Sequence, residues 1–395
     1  MINDSMAYKK LIYDTVITGH HSEYIGHLID SLYDRPGEEG KYIFVVHPKF
    51  ASLFPEIYDK GEQCDHINWV AIEENELKSI QNGNFIIRSI RSMDIMSSYA
   101  KKFDVSSVVA LDFHIIKYGA IYKSIPFTLS SILFLQFYRL KKKTFKQKIE
   151  FYKRYYVTKL VSRNSSIKNI FVLNDQDTVD YMNMEFNTDC FKMLPDPIPK
   201  LKPLNNFDIY GHYNIERHRK IYLHIGTLGE RKGTEEVINS AYHVPSSEQH
   251  NIAILLVGRV GDKNDLVRYK DTVEQVDSAT NVQMVWDNKF IDFQMMKSIF
   301  DQCHAVLLPY KNAEFSSGIL GHAAAANKIV IATNEGLLRE LVIKYKLGEL
   351  LEDNNALNLA LKMVEVIDKQ IITVGHQQFV RNHDPMMFSK LLLSK

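Results

Sequence analysis

Short runs of β-branched and aliphatic residues recur along this chain, each separated from the next by a segment of helical length, and that alternation restricts its fold more than any other feature. Runs that are apolar at nearly every position form strands buried on both faces, and parallel strands of that kind are joined by crossover helices. The class expected is therefore α/β. In the first half the runs are "DTVIT" (14–18), "YIFVVH" (42–47), "NFIIRS" (84–89), "SVVALD" (107–112), "ILFLQF" (132–137) and "NIFVLN" (169–174). In the second half they are "IYLHIG" (221–226), "IAILLVG" (252–258), "VQMVW" (282–286), "AVLLPY" (305–310) and "IVIAT" (329–333).

A chain of 395 residues is long for one core and comfortable for two. The proline-rich stretch 194–220 is sparse in apolar residues and interrupts the rhythm as a linker does. The organisation expected is a Rossmann-like domain over 1–200, a linker over 201–220, a second Rossmann-like domain over 221–375, and a terminal helical segment over 376–395 that can pack back on the first. Two facing doubly wound domains create a cleft, and ligands of open α/β sheets bind beyond the carboxyl ends of the strands.

Composition narrows the function classes. An apolar fraction of 45% with 24% charged residues is that of a folded soluble protein, and a formal charge of +1 supplies no field for nucleic acid. The three cysteines, Cys64, Cys190 and Cys303, lack C-x-x-C spacing, so neither a zinc site nor a disulfide framework is expected. The most apolar stretch, "SILFLQF", is far shorter than the ~20 residues of a membrane span, and the amino terminus lacks the apolar core of a signal peptide. A cytoplasmic location is expected.

Two stretches of the second half carry the chemistry. In "GTLGERKGTEE", Gly226, Gly229 and Gly233 permit a tight strand-to-helix turn, Arg231 and Lys232 place two cations on it, and Thr234 with Glu235 and Glu236 opens a helix. In "NAEFSSGILGHAAAANKIVIAT", a loop carries Glu314, and Ser316-Ser317-Gly318 opens a helix whose first N–H groups form an anion site. The chain matches neither G-x-G-x-x-G nor the P-loop pattern at these places.

Together, "GTLGERKG", "EFSSGILGH" and "AAAANKIVIATNEGLLRELV" resemble the carboxyl-terminal domain of GT-B glycosyltransferases, family 4 in particular. The resemblance runs from about 221 to 345 and is only architectural before that. It implies two facing Rossmann-like domains and transfer of a sugar, hexosyl in type, from a nucleotide-sugar donor, with a UDP- or GDP-sugar foremost. The acceptor implied is a glycan or lipid-linked group in surface polysaccharide or glycolipid assembly, with retention of configuration and no metal or other cofactor. By position, Lys232 matches the lysine used on the donor diphosphate, with Arg231 beside it. Glu314 matches the acid lying against the transferred sugar, and Gly226, Thr227, Ser316, Ser317, Gly318 and Ile319 fall on the diphosphate-binding loops. Glu340 matches a late acid of the family segment. Two positions depart from the pattern: Thr227 stands where the family has Arg, and His322 replaces the second Glu, which binds ribose hydroxyls. An imidazole accepts one such bond rather than a bidentate pair. These departures bear on donor identity, and they keep open a non-catalytic partner protein of the same fold; a nucleotide-sugar epimerase is the enzymatic alternative.

In the first half, Gly19, His20 and His21 form a turn where the family has a flexible glycine loop, and Asp112 and His114 follow a strand end. Related enzymes have a His near the sugar at this place, which makes His114 the third catalytic candidate. Asp175 and Asp177 read as D-x-D but lie at a helix start, where acids favour the dipole, and lack further ligands at metal-binding spacing. Finally, "RLKKKTFKQKIEFYKRYYVTKL" (139–160) sets nine basic residues against Glu150 with five interleaved aromatics. Such a helix can rest on an anionic membrane surface or simply pack its aromatics and solvate its lysines.

Overall fold

The computed structural model describes residues 8–35, 40–369 and 373–394. Residues 1–7 of the stretch scanned for a signal peptide, and residue 395 of the terminal segment, lie outside the described residues. The chain divides into two compact units, one of Met1–Pro197 with Asp384–Lys395 and the other of Ile198–His383.

The first unit carries seven parallel strands: β1 (Lys9–Asp14), β2 (Lys41–Val46), β3 (Ile67–Ala71), β4 (Ser107–Ala110), β5 (Thr128–Leu133), β6 (Ile167–Leu173) and β7 (Phe191–Leu194). Their order is β3-β2-β1-β4-β5-β6-β7. The second carries six, also parallel: β8 (Lys220–Ile225), β9 (Ile252–Val257), β10 (Gln283–Asp287), β11 (Ala305–Leu308), β12 (Ile329–Ala332) and β13 (Gly348–Leu350). Their order is β10-β9-β8-β11-β12-β13. Each sheet therefore reverses direction once, between β1 and β4 and between β8 and β11. Ligands of doubly wound sheets bind at such reversals.

Three of the expected strands are placed differently. "NFIIRS" opens the helix Phe85–Lys102: Asn84 Oδ1 accepts from Ile87 N at 3.0 Å, and the buried residues Ser89, Ser92, Met93, Met96, Tyr99 and Ala100 keep helical spacing. "DTVIT" lies mostly beyond β1, because the Asp14 carboxylate accepts from Val16 N at 3.0 Å and turns the chain. "ILFLQF" straddles the end of β5. Three strands went unread in the sequence, β3, β7 and β13, and all lie at sheet edges, where solvent contact or shortness removes the continuous apolar run.

The terminal helix Pro385–Leu393 belongs to the first unit. Phe388 and Leu392 are buried there, Ser389 Oγ donates to His27 O at 2.8 Å, and the buried Lys10 ammonium donates to Leu392 O at 3.3 Å and Ser394 O at 2.5 Å. Cations suit helix carboxyl ends. The preceding helix, Val374–Asn382, stays in the second unit, with Phe379 against the Tyr345 ring at 4.9 Å.

Candidate functional site

In the second unit the turn after β8 is built around two glycines. Gly226 has φ +116°, and a Cβ there would lie 2.4 Å from Lys232 Nζ and 3.9 Å from Ile319 Cδ1. Gly233 has φ +70°, and a Cβ there would meet Pro309 O at 2.1 Å. Between them the 3-10 turn Glu230–Lys232 folds back so that Lys232 Nζ donates to Ile225 O at 3.3 Å and sits 5.3 Å from the Tyr310 ring centre. Lys232 is only 8% exposed, and among the described residues no carboxylate pairs with it. A buried ammonium facing one carbonyl and one ring is costly unless an anion completes its surroundings.

The second loop, after β11, is tied to the first. Lys311 N donates to Arg231 O at 2.9 Å, and the Lys311 ammonium pairs with Glu236 at 2.8 Å. Further along, Leu337 N donates to Ala313 O at 2.9 Å, and the Tyr310 and Ser317 hydroxyls are 3.5 Å apart. The helix Gly318–Ala325 then begins at Ser317, whose backbone is extended and whose side chain does not cap it. Its first-turn residue Ile319 and the Lys232 ammonium both lie within 4 Å of the same point over Gly226. Two segments 80-odd residues apart in sequence thus meet at the β8/β11 reversal.

Gly226, Lys232, Ser317, Gly318 and Ile319 therefore gather in one place. Glu314 and Ser316 are half-buried on the same loop, while Thr227 and Arg231 stand exposed on the first turn. His322 is on the second turn of the helix, with its ring 5.6 Å from that of Phe300, and Glu340 lies in the helix Gly336–Tyr345. Sequence reading overlooked Tyr310, whose only signal was its place at a strand end.

In the first unit the β1/β4 reversal holds a separate polar group. His21 Nδ1 lies 2.9 and 3.0 Å from the two oxygens of the buried Asp14 carboxylate. Burial alone would lower the His21 pKa, but the bond and charge of Asp14, with Asp112 nearby, raise it. Asp112 caps its helix by accepting from His114 N at 2.7 Å, and burial raises its pKa. His114 is half-buried, with Nδ1 3.0 Å from Lys117 Nζ and its ring 4.4 Å from that of Phe85. Burial first, and then Lys117, lower its pKa to about 4, so the imidazole is neutral at pH 7. Gly19 has φ +70° with open space around it, and His20 is exposed. Asp14 was not singled out in the sequence, since a strand-end acid carries no distinctive spacing. Asp175 is engaged by Arg139 at 2.6 and 2.7 Å and caps its helix through Thr178. Among the described residues no group of three or more His, Cys, Asp or Glu is gathered as metal ligands are.

Against known proteins, residues 208–382 match the family model for glycosyl transferases group 1. No curated protein matches the sequence. Solved structures that resemble the chain include WaaG, a glycosyltransferase involved in lipopolysaccharide biosynthesis, at 13% identity and a TM-score of 0.65, covering 98% of this chain and 100% of that one. Anabaena HepE in complex with UDP and glucose is similar at 14% identity and a TM-score of 0.68, covering 98% of both chains. Sucrose-phosphate synthase from Thermosynechococcus elongatus is similar at 15% identity and a TM-score of 0.69, covering 97% of this chain and 96% of that one. The fold is that of the GT-B glycosyltransferases. The family match falls within the second unit.

Proposed function

We propose that this protein transfers a sugar from a nucleotide-sugar donor, a UDP- or GDP-sugar, to a glycan or lipid-linked acceptor, with retention of configuration. The observation that carries the reading is the buried Lys232 ammonium, which has no carboxylate partner among the described residues and lies beside the first turn of the helix Gly318–Ala325. A diphosphate placed over Gly226 would receive the ammonium and the N–H groups at Gly318 and Ile319. As the sugar leaves, negative charge grows on the diphosphate, and preoriented donors of this kind stabilise it without a metal. Arg231 would reach the outer phosphate, compensating for Thr227, and Glu314 would orient the sugar. The complexes of HepE with UDP and with UDP-glucose support a nucleotide-sugar donor.

Lys232→Ala is expected to abolish nucleoside-diphosphate binding, and Glu314→Ala to lower transfer at least a hundredfold with binding retained. A thermal-shift panel of UDP-, GDP-, ADP- and dTDP-sugars on the wild type identifies the donor, and turnover with it measures both variants. Full turnover in both variants would remove this site from the reaction. The helix Phe145–Ser162 bears on the acceptor. Phe145, Ile149, Tyr152, Tyr156 and Leu160 recur at helical spacing and are all about half exposed or more, with Lys148, Lys153 and Lys159 alongside. That stripe supports docking on an anionic membrane, where a lipid-linked acceptor would be found.

A further inference from the structure

Beneath the turn that carries Lys232 lies a closed hydrogen-bond chain that the reaction itself does not require. His224, fully buried on β8, places Nδ1 3.0 Å from Leu307 O on β11 and Nε2 3.1 Å from Thr234 Oγ1. Thr234 is also fully buried, and its Oγ1 accepts from Gly229 N at 2.9 Å. A carbonyl can only accept, so Nδ1 carries the imidazole proton. Nε2 then accepts from the Thr234 hydroxyl, whose oxygen in turn takes the Gly229 N–H. Every polar atom in the chain is satisfied in one sense of direction only.

The consequence falls on Lys232. Gly229 O accepts from Lys232 N at 3.0 Å, so the residue whose N–H Thr234 anchors starts the turn that folds the lysine back over Gly226. The anchor must also be uncharged, because a cationic imidazole below Lys232 would repel the ammonium. Burial first, and Lys232 in part, hold the His224 pKa at about 4. The far end of the chain reaches β11, whose following loop leads to Ser317. One buried network therefore ties the first turn of the site to the strand from which the second loop departs.

We propose that His224 and Thr234 are positioning residues that fix the Gly229–Lys232 turn, and with it the ammonium that meets the donor diphosphate. The proposal rests on the reading of Lys232 as the diphosphate cation, so its test has one arm without ligand. Thr234→Val keeps the shape but leaves Gly229 N–H and His224 Nε2 without partners, whereas Thr234→Ser keeps the hydroxyl. In hydrogen–deuterium exchange of the unliganded protein, Thr234→Val is expected to speed exchange over 228–233 on the order of tenfold while Thr234→Ser stays near wild type. In titrations with UDP, GDP, ADP and dTDP, the tightest nucleoside diphosphate is expected to lose on the order of tenfold in affinity in Thr234→Val and to recover in Thr234→Ser. Unchanged exchange in Thr234→Val overturns the bracing. Faster exchange with unchanged affinity, when Lys232→Ala abolishes binding, overturns its link to the diphosphate. Absence of binding by all four nucleotides to the wild type removes the donor reading, and the role proposed for the network goes with it, even if the exchange result stands.

Discussion

At the scale of single residues, Gly226 and Lys232 are two parts of one device. The backbone at Gly226 has φ +116°, a conformation that side chains rarely adopt, and the space a Cβ would fill is already taken by the Lys232 ammonium at 2.4 Å. Gly226→Ala is therefore expected to displace the ammonium and weaken nucleoside-diphosphate binding at least tenfold, at a cost of about 1–3 kcal/mol in stability. Calorimetric titration with the tightest nucleotide, beside denaturant unfolding, measures both. A second consequence at this scale concerns pH. His114 and His224 each have folded pKa values of about 4, below the ordinary value of 6.5. Between those values the unfolded chain takes up protons that the folded chain refuses, so their contribution is complete above pH 6.5 and is lost as pH falls toward 4. His21, with its raised pKa, acts in the opposite sense and loses its contribution as pH rises through its folded value. Burial lowers His47 and His304 as well, so four depressed histidines against one raised predict a net loss of stability from pH 7 to pH 5. His114→Gln is expected to remove on the order of 1 kcal/mol of that loss, given its partial exposure, as read from denaturant midpoints at the two pH values.

At the scale of elements, the strands legible in the sequence included most of the central ones and the edge strand β10, while the central strand β1 was placed several residues too far along. Runs such as "IAILLV" are buried at every position and leave no periodicity but apolarity. The edges β3, β7 and β13 were not legible, because solvent contact or shortness leaves them no such run. "NFIIRS" misled for a different reason: its first residues are β-branched and apolar, yet Ile86 and Ile87 are exposed, and the helix is fixed by the Asn84 cap and by residues four to fifteen positions further on. At the candidate site, glycine spacing marked the turn and the alanine run marked the close-packed helix. The His224–Thr234 link could not be read, since both residues look like ordinary members of a strand and a helix start. The basic helix is a similar case: its composition was visible, but which aromatics face outward depends on what its other side packs against. Phe151, Thr158 and Val161 are buried and Phe145 is 79% exposed, so the outward stripe follows from that packing. The membrane proposal is therefore tested on the stripe itself. Phe145→Glu with Tyr152→Glu is expected to reduce sedimentation with vesicles of anionic phospholipid at least tenfold while leaving the unfolding midpoint near wild type. Equal binding of wild type and variant, or binding of neither, removes this helix as a docking surface.

At the scale of the whole molecule, the chain leaves its first unit at Pro197 and returns to it only for the last residues, after the second unit is complete. The returning helix fills a prepared place: Phe388 is fully buried, 4.8 Å ring to ring from Tyr24, in the same apolar cluster as Ile25, Leu28 and Leu392. The Lys10 ammonium closes the end of that helix through Leu392 O and Ser394 O. Burial of Lys10 and the nearby Lys168 lower its pKa to about 8, so the carbonyls hold a cation that is costly to desolvate. The first unit is thus completed only after the second has been synthesised, by a segment whose removal would expose an apolar groove along the helix His21–Tyr33. Phe388→Ala should cost about 3–5 kcal/mol, the usual range for emptying a buried phenylalanine site. Because Phe388 packs in the core of the first unit, the loss is expected in one of two unfolding transitions. The nucleotide site lies wholly within Ile198–His383 in this reading, so a nucleoside diphosphate should raise the other transition and leave the weakened one unchanged. Calorimetry of Phe388→Ala with and without the nucleotide distinguishes the two, and a uniform shift of a single transition would show instead that the units unfold as one.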